Sequence, residues 1–314
     1  MDPVCHTLVG AGLARSGLGR RTALGTVTLL VGANLPDIDV LAYLDGPEAD
    51  LAFRRGSTHG VLALAVLPLL LTGGMLLLDR ARRRLARSTP PPARARELLL
   101  LSGASILTHP ILDTLNTYGV RWLMPLHGRW FYGDVLFIVD PWLWIVLTVG
   151  VVLGRRGVGP ARVALGLAAL YTAGMALGAA AARKVVADEL AERGGPVDEL
   201  LLSPRPATPF RRTVVAGRGD RYLVGEFRWL ETPRLAPTVR SYPRGRPDHP
   251  AVRVAASTAA GRRFLGWARF PTYRVEDRGG GAYTVHIVDL RYADRPGVRF
   301  GAVSVPVTLD RRAD

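Results

Sequence analysis

Five apolar runs, at about 22–44, 60–79, 97–117, 134–154 and 160–182, fill most of the first 187 residues and limit what this chain can fold into. Each is close to the roughly 20 residues that an α-helix needs to cross the hydrocarbon core of a bilayer. Arginine clusters separate the runs, and a mean hydropathy of +0.17 beside 21% charged residues shows the same segregation of apolar from charged sequence. Residues 4–17 read as a short retained helix, re-entrant or a thin span, because the start lacks the basic segment and small-residue cleavage site of a signal peptide. From about 190 the chain turns to Pro, Gly, Arg and alternating segments such as RYLVGEFRWLE (221–231), TYRVED (272–277), AYTVHIVDLRY (282–292) and AVSVPVTL (302–309), with a triple glycine at 279–281 as the clearest turn. The expected fold is mainly α: a polytopic helical membrane domain over 1–187, then a small β-rich extramembrane accessory domain over 188–314.

A net charge of +15 raises nucleic acid, anionic lipid and phosphorylated substrates as partners. Both halves are basic, with 19 cations against 11 anions through residue 187 and 22 against 15 after it, and neither holds a block of interleaved basic and aromatic residues. No nucleic-acid partner is expected; the lipid bilayer is. Short cytoplasmic loops accumulate Lys and Arg. With the N-terminus outside, the cytoplasmic turns at 15–21, 80–96 and 155–162 hold 13 arginines, and the outer segments at 45–58 and 118–133 with Arg183 and Lys184 hold six cations. That orientation places the C-terminal domain on the extracytoplasmic side. Cys5 is the only cysteine, so an internal disulfide and an all-cysteine metal site are excluded.

Ionisable residues inside apolar runs cost on the order of 2.5–3.5 kcal/mol at a helix centre, so they concentrate at span ends, in pairs and at functional sites. The apolar half carries His6, Asp37, Asp39, His59, His109, Asp113, Asp134 and Asp140, and the arginine-based orientation puts all eight at one outer level. His109 and Asp113 are four apart, hence on one helical face. Asp37 and Asp39 are two apart and diverge on a regular helix. Pro36 biases Leu35 away from the α region, so an extended Asp-x-Asp is expected to aim both carboxylates at one point, with Asn34 bonding the freed backbone.

A mixed His/Asp set suits a divalent transition metal, Zn or Mn before Mg or Ca. His6, Asp37, Asp39, His59, His109 and Asp113 are the candidate ligands, enough for one or two ions, and Asp37 or Asp39 is the candidate catalytic base. Asp134 and Asp140 are candidate additional ligands, with helix capping as the plainer reading of each. Arg55, Arg121 and Arg129, in the outer loops, are candidates for binding a phosphate or carboxylate of a small-molecule or lipid substrate. Trp122, Trp130, Phe131, Tyr132, Trp142 and Trp144 read as an interfacial aromatic belt. Hydrolysis of an ester, either a phosphoester or an acyl ester of a lipid or envelope metabolite, is the chemistry such a site favours. An ion-pathway protein and a non-enzymatic envelope protein with a structural metal are the alternatives.

HTLVG (6–10), NLPDID (34–39), RRGSTHG (54–60), THPILDTLNTYG (108–119) and GDVLFIVDPWLW (133–144), in that order, resemble the YdjM-type family of membrane-bound, predicted metal-dependent hydrolases. FLGWARFPTYRV (264–275) and VDLRY (288–292) are similar to the tail of its longer members. The resemblance implies a metal-dependent hydrolase of a bacterial inner membrane and brings no substrate with it. Gly60 stands where serine is expected in many relatives.

Overall fold

The computed structural model describes residues 1–46, 51–86, 90–232, 234–292 and 300–309; Arg87 of the 80–96 turn lies outside them. The chain forms two compact units, Met1–Gly178 and Ala179–Asp314.

In the first unit, α1 (Pro3–Arg15) starts at Asp2, whose carboxylate accepts from the Val4 and Cys5 amides, with Pro3 at the first helical position. A 3₁₀ turn at Leu18–Arg20 leads to α2 (Gly25–Asn34), and the axis continues as a 3₁₀ segment over Leu35–Asp45. α3 spans Val61–Leu85, α4 spans Ala95–Thr114, α5 spans Pro141–Leu153 and α6 spans Val158–Glu192. α2 is central: it packs on α1 and α4, α3 packs on α4, and α5 packs on α1. Small residues and hydroxyls hold these contacts, as Ser105 Oγ donating to Leu29 O at 2.5 Å and Thr72 Oγ1 to Ser102 Oγ at 3.3 Å illustrate.

Three helices among the described residues are long and apolar enough to cross a membrane: Gly25–Leu44, Val61–Leu85 and Val158–Glu192. Leu69, Leu70 and Leu77 on α3 and Val163, Leu170 and Leu177 on α6 face outward, which lipid satisfies and water does not. The expectation of five such spans is thereby corrected. The run at 97–117 forms a 20-residue helix that carries Arg96, Glu97, His109 and Asp113, and the run at 134–154 is helical only from Pro141, because Asp140 caps it there and leaves 13 residues.

The second unit is mostly antiparallel sheet. β1 (Glu199–Arg205), β2 (Thr208–Arg218), β3 (Arg221–Arg228) and β4 (Arg240–Pro243) pair in sequence order. β5 (Pro271–Gly279), β6 (Ala282–Asp289) and β7 (Ala302–Thr308) form a second sheet, flanked by α7 (Pro250–Ser257) and α8 (Ala259–Trp267). Strand alternation gives the first sheet two apolar faces: Leu200, Leu202, Val214 and Phe227 pack on Ala182, Val186 and Leu190 of α6, while Leu201, Val215 and Tyr222 pack on Phe270 and Leu290. Gly279, Gly280 and Gly281 all adopt positive φ between β5 and β6, a backbone path that L side chains resist.

Candidate metal centre

Pro36 does its work differently from the extended geometry expected of it. The chain tightens into a 3₁₀ turn, Asn34 Nδ2 bonds back to Leu30 O at 3.0 Å, and the two aspartates leave the segment in different directions. They meet again at one imidazole. Asp37 Oδ1 lies 4.0 Å from His59 Nε2, and Asp39 Oδ2 lies 3.3 Å from His59 Nδ1.

His59 is delivered by the turn before α3, and His109 and Asp113 by the last two turns of α4. His59 Nε2 is 3.4 Å from Asp113 Oδ2, and His109 Nε2 is 3.5 Å from both Asp113 Oδ2 and Asp37 Oδ1. One ligand atom from each of Asp37, His59, His109 and Asp113 falls within 4.8 Å of the others, and the two histidines and Asp113 are fully buried. A tetrahedral N/O shell with bonds of about 2.0–2.1 Å has ligand–ligand edges of about 3.4 Å, so the three contacts at 3.4–3.5 Å match those around one ion and the group could hold a metal ion.

The hydrogen bonding supports the same fit. His109 Nδ1 sits 2.7 Å from Ala33 O, which fixes the proton on Nδ1 and turns the Nε2 lone pair toward the carboxylates. His59 Nδ1 is held by Asp39 and by Thr58 Oγ1 at 3.0 Å, so its Nε2 also faces inward. Both Nε2 atoms are buried with no hydrogen-bond partner, a costly state that an ion between them would relieve.

The remaining expected residues surround this group. Asp39 accepts from the Arg55 amide at 2.7 Å and from Thr58 Oγ1 at 3.1 Å, so its Oδ2 serves the protein rather than the four-ligand group. His6 stacks on His109 with ring centroids 3.7 Å apart, and its Nε2 lies 3.3 Å from Asp113 Oδ1, the oxygen that also meets the Met1 amino group. Arg55 lies in the connection before α3, yet its side chain is buried, 3% exposed. Its Nε lies 2.9 Å from Asp113 Oδ2, its NH1 donates to Asn116 Oδ1 at 2.9 Å, and its guanidinium covers the Tyr118 ring.

Arg121 donates to Ala52 O and Arg54 O and lies over Trp130, bracing the loop between α4 and α5; Arg129 is exposed and lies over Phe131. Trp130 also contacts Tyr118 and Tyr132, and Trp122 Nε1 donates to Thr114 Oγ1 at 2.7 Å, so these rings organise the loop. Asp140 caps α5, accepting from the Trp142 and Leu143 amides and from Tyr171 Oη at 3.0 Å, and it stands outside the four-ligand group. Asp134 is outside it too and adopts positive φ. Thr58, Asn116 and the Ala33 carbonyl were not foreseen. Thr58 adjoins a candidate ligand and Asn116 lies one helical turn beyond Asp113, which is the signal that sequence offers for both.

Residues 1–184 match the family model described as YdjM inner membrane protein. The chain belongs to this family. It is also similar, at 22% identity over 291 residues covering 88% of this chain and 80% of the relative, to the uncharacterized protein YfhP of Bacillus subtilis (strain 168). No solved structure matches. All four residues of the metal group lie within the matched segment, so the family region is the region that builds the site.

Proposed function

We propose that this YdjM-family protein is a membrane-embedded metal-dependent hydrolase of esters, with Asp37, His59, His109 and Asp113 holding one divalent ion, Zn or Mn. The observation that carries the reading is the pair of buried, unpartnered Nε2 atoms facing two carboxylates at ligand spacing. An ion held there supplies Lewis-acid polarisation of the ester and activation of water near neutral pH.

The chain's own groups set up the rest. Asp39 and Ala33 O fix the two imidazoles, and Arg55 neutralises and anchors Asp113. Asp37 is the most exposed of the four, with an 18% accessible side chain, and would hold the ion through one oxygen and take a proton from water with the other. His6, stacked on His109, lies beside Asp113 as a second proton acceptor or an additional ligand. A phosphoester is favoured over an acyl ester because Arg55 keeps a guanidinium beside the site. The single four-residue group supports one ion, and Asp39 and His6 contact its histidines. The excess of arginine in the turns at 15–21, 80–96 and 155–162 supports a site facing the extracytoplasmic side.

The test is metal content by mass spectrometry on detergent-purified protein, followed by screening of phosphoesters and acyl esters. One transition-metal ion per chain, lost together with activity in His109→Ala/Asp113→Ala, is the expected result. An absence of bound metal in wild type after reconstitution overturns the proposal. A fully loaded, well-folded protein inert toward both ester classes leaves the metal with a structural role and removes the hydrolase reading.

A further inference from the structure

The second unit contains a cavity of about 420 Å³ on the β1–β4 sheet, at the lower end of the roughly 300–1,000 Å³ typical of ligand sites. Its walls carry three arginines, Arg205 of β1, Arg228 of β3 and Arg240 of β4, and one carboxylate, Glu226. The lining therefore has an excess of two positive charges. Thr213 and Thr238 add hydroxyls.

The three arginines come from three separate strands, and Arg211 of β2 joins them at the rim. Arg205 NH1 reaches Glu226 Oε1 at 3.1 Å, Arg228 holds Glu226 Oε2 through Nε at 3.1 Å and NH2 at 2.9 Å, and Arg211 NH1 lies 3.8 Å from Glu226 Oε1. Glu231 meets the same groups, beside Arg228 NH1 and 3.4 Å from Arg211 NH2, so two carboxylates share these guanidinium groups, whose planar forks suit oxyanions. Arg211 and Arg228 are direct cross-strand partners, and Glu226 and Glu231, each beside both of them, offset that like-charge contact.

We propose that this cavity is an anion site, separate from the metal centre, that takes a phosphate-bearing group of two negative charges, a phosphomonoester or diphosphate. Glu226 holds the arginines in the binding arrangement and competes with the ligand for them. The phosphate comes either from a soluble phosphoryl compound or from a lipid headgroup.

Isothermal titration of inorganic pyrophosphate into the full chain in neutral detergent tests the site. Saturable binding, weakened at least tenfold in Arg205→Gln/Arg240→Gln and retained in His109→Ala/Asp113→Ala, is expected. Both arginines are on the sheet surface, so the double variant keeps its fold, and unchanged helicity and melting temperature verify this. Glu226→Gln should bind several-fold more tightly, and raising the salt concentration should weaken all binding. Absence of saturable binding, or equal binding by the arginine variant, overturns the proposal. Loss of binding in the metal-centre variant alone also overturns it, by moving the phosphate to that centre. The same titration in phosphatidylcholine nanodiscs carrying phosphatidic acid, phosphatidylglycerol or neither assigns the source. Competition by phosphatidic acid and not by phosphatidylglycerol identifies a lipid headgroup, and no competition identifies a soluble compound.

Discussion

At the scale of single residues, burial and hydrogen bonding separate ligands from the groups that aim them. Asp39 and Asp37 belong to one short motif, yet Asp39 contacts the distal nitrogen of His59 while Asp37 faces its inward nitrogen. Asp39→Asn keeps the size and the bonds from Arg55 and Thr58 while removing the charge that sets the His59 tautomer. Metal affinity is expected to fall by about 10–100-fold, the usual cost of losing such an outer partner, with the fold intact. Chelator competition measures it, and a complete loss equal to that of His109→Ala would make Asp39 a direct ligand. Gly60 has an equally local explanation. A Cβ there would sit 2.3 Å from Met124 O, so the serine expected from relatives does not fit this backbone. Gly60→Ala is expected to cost about 1–3 kcal/mol as an overpacking change, read as a lowered midpoint of thermal unfolding.

Helix termini decide which acidic residues are free for chemistry. Asp2 and Asp140 are both followed by proline and both cap helices, α1 and α5. Asp140→Ala is therefore expected to destabilise the protein by about 1 kcal/mol, a typical cap loss, and to leave metal stoichiometry unchanged. Unfolding by denaturant and metal analysis of the same sample check the two halves of that expectation. In the sheets, the alternating segments at 221–231, 272–277, 282–292 and 302–309 all form strands. β1 and β2 were not singled out, because ELLLSPR and TPFRRTVVAGR contain prolines and unbroken apolar runs in place of a clean alternation. Both faces of that sheet are covered, so alternation of apolar with polar residues is lost there.

For the whole molecule, the two units answer to different conditions. The helical unit presents outward-facing leucines and valines on its long apolar helices, which lipid covers. The sheet unit has an apolar core that includes the buried Tyr222, a group sensitive to alkaline pH. Burial pushes the Tyr222 hydroxyl up to about 12 from an ordinary value near 10, with the Arg244 guanidinium over the ring opposing that rise. Since the folded form resists ionisation, the stability tied to Tyr222 is full below pH 10 and declines as pH rises from about 10 to 12. Tyr222→Phe is expected to flatten that decline, as followed by tryptophan fluorescence during alkaline unfolding.

By itself the sequence determined that the chain is a membrane protein with a β-rich tail, that it resembles the YdjM family, and that His59, His109, Asp37 and Asp113 are site candidates. These follow from apolar run length, residue chemistry and the four-residue spacing of His109 and Asp113, all of which are local. The tertiary structure decided the division of labour: Asp39 and Ala33 O as orienters, Arg55 as a buried partner of Asp113, Asp140 as a cap, and three long apolar helices in place of five. Each of these depends on which groups meet across helices distant in sequence. A carboxylate reads the same along the chain whether it binds a metal, orients an imidazole or caps a helix, and only the atoms packed against it make the difference.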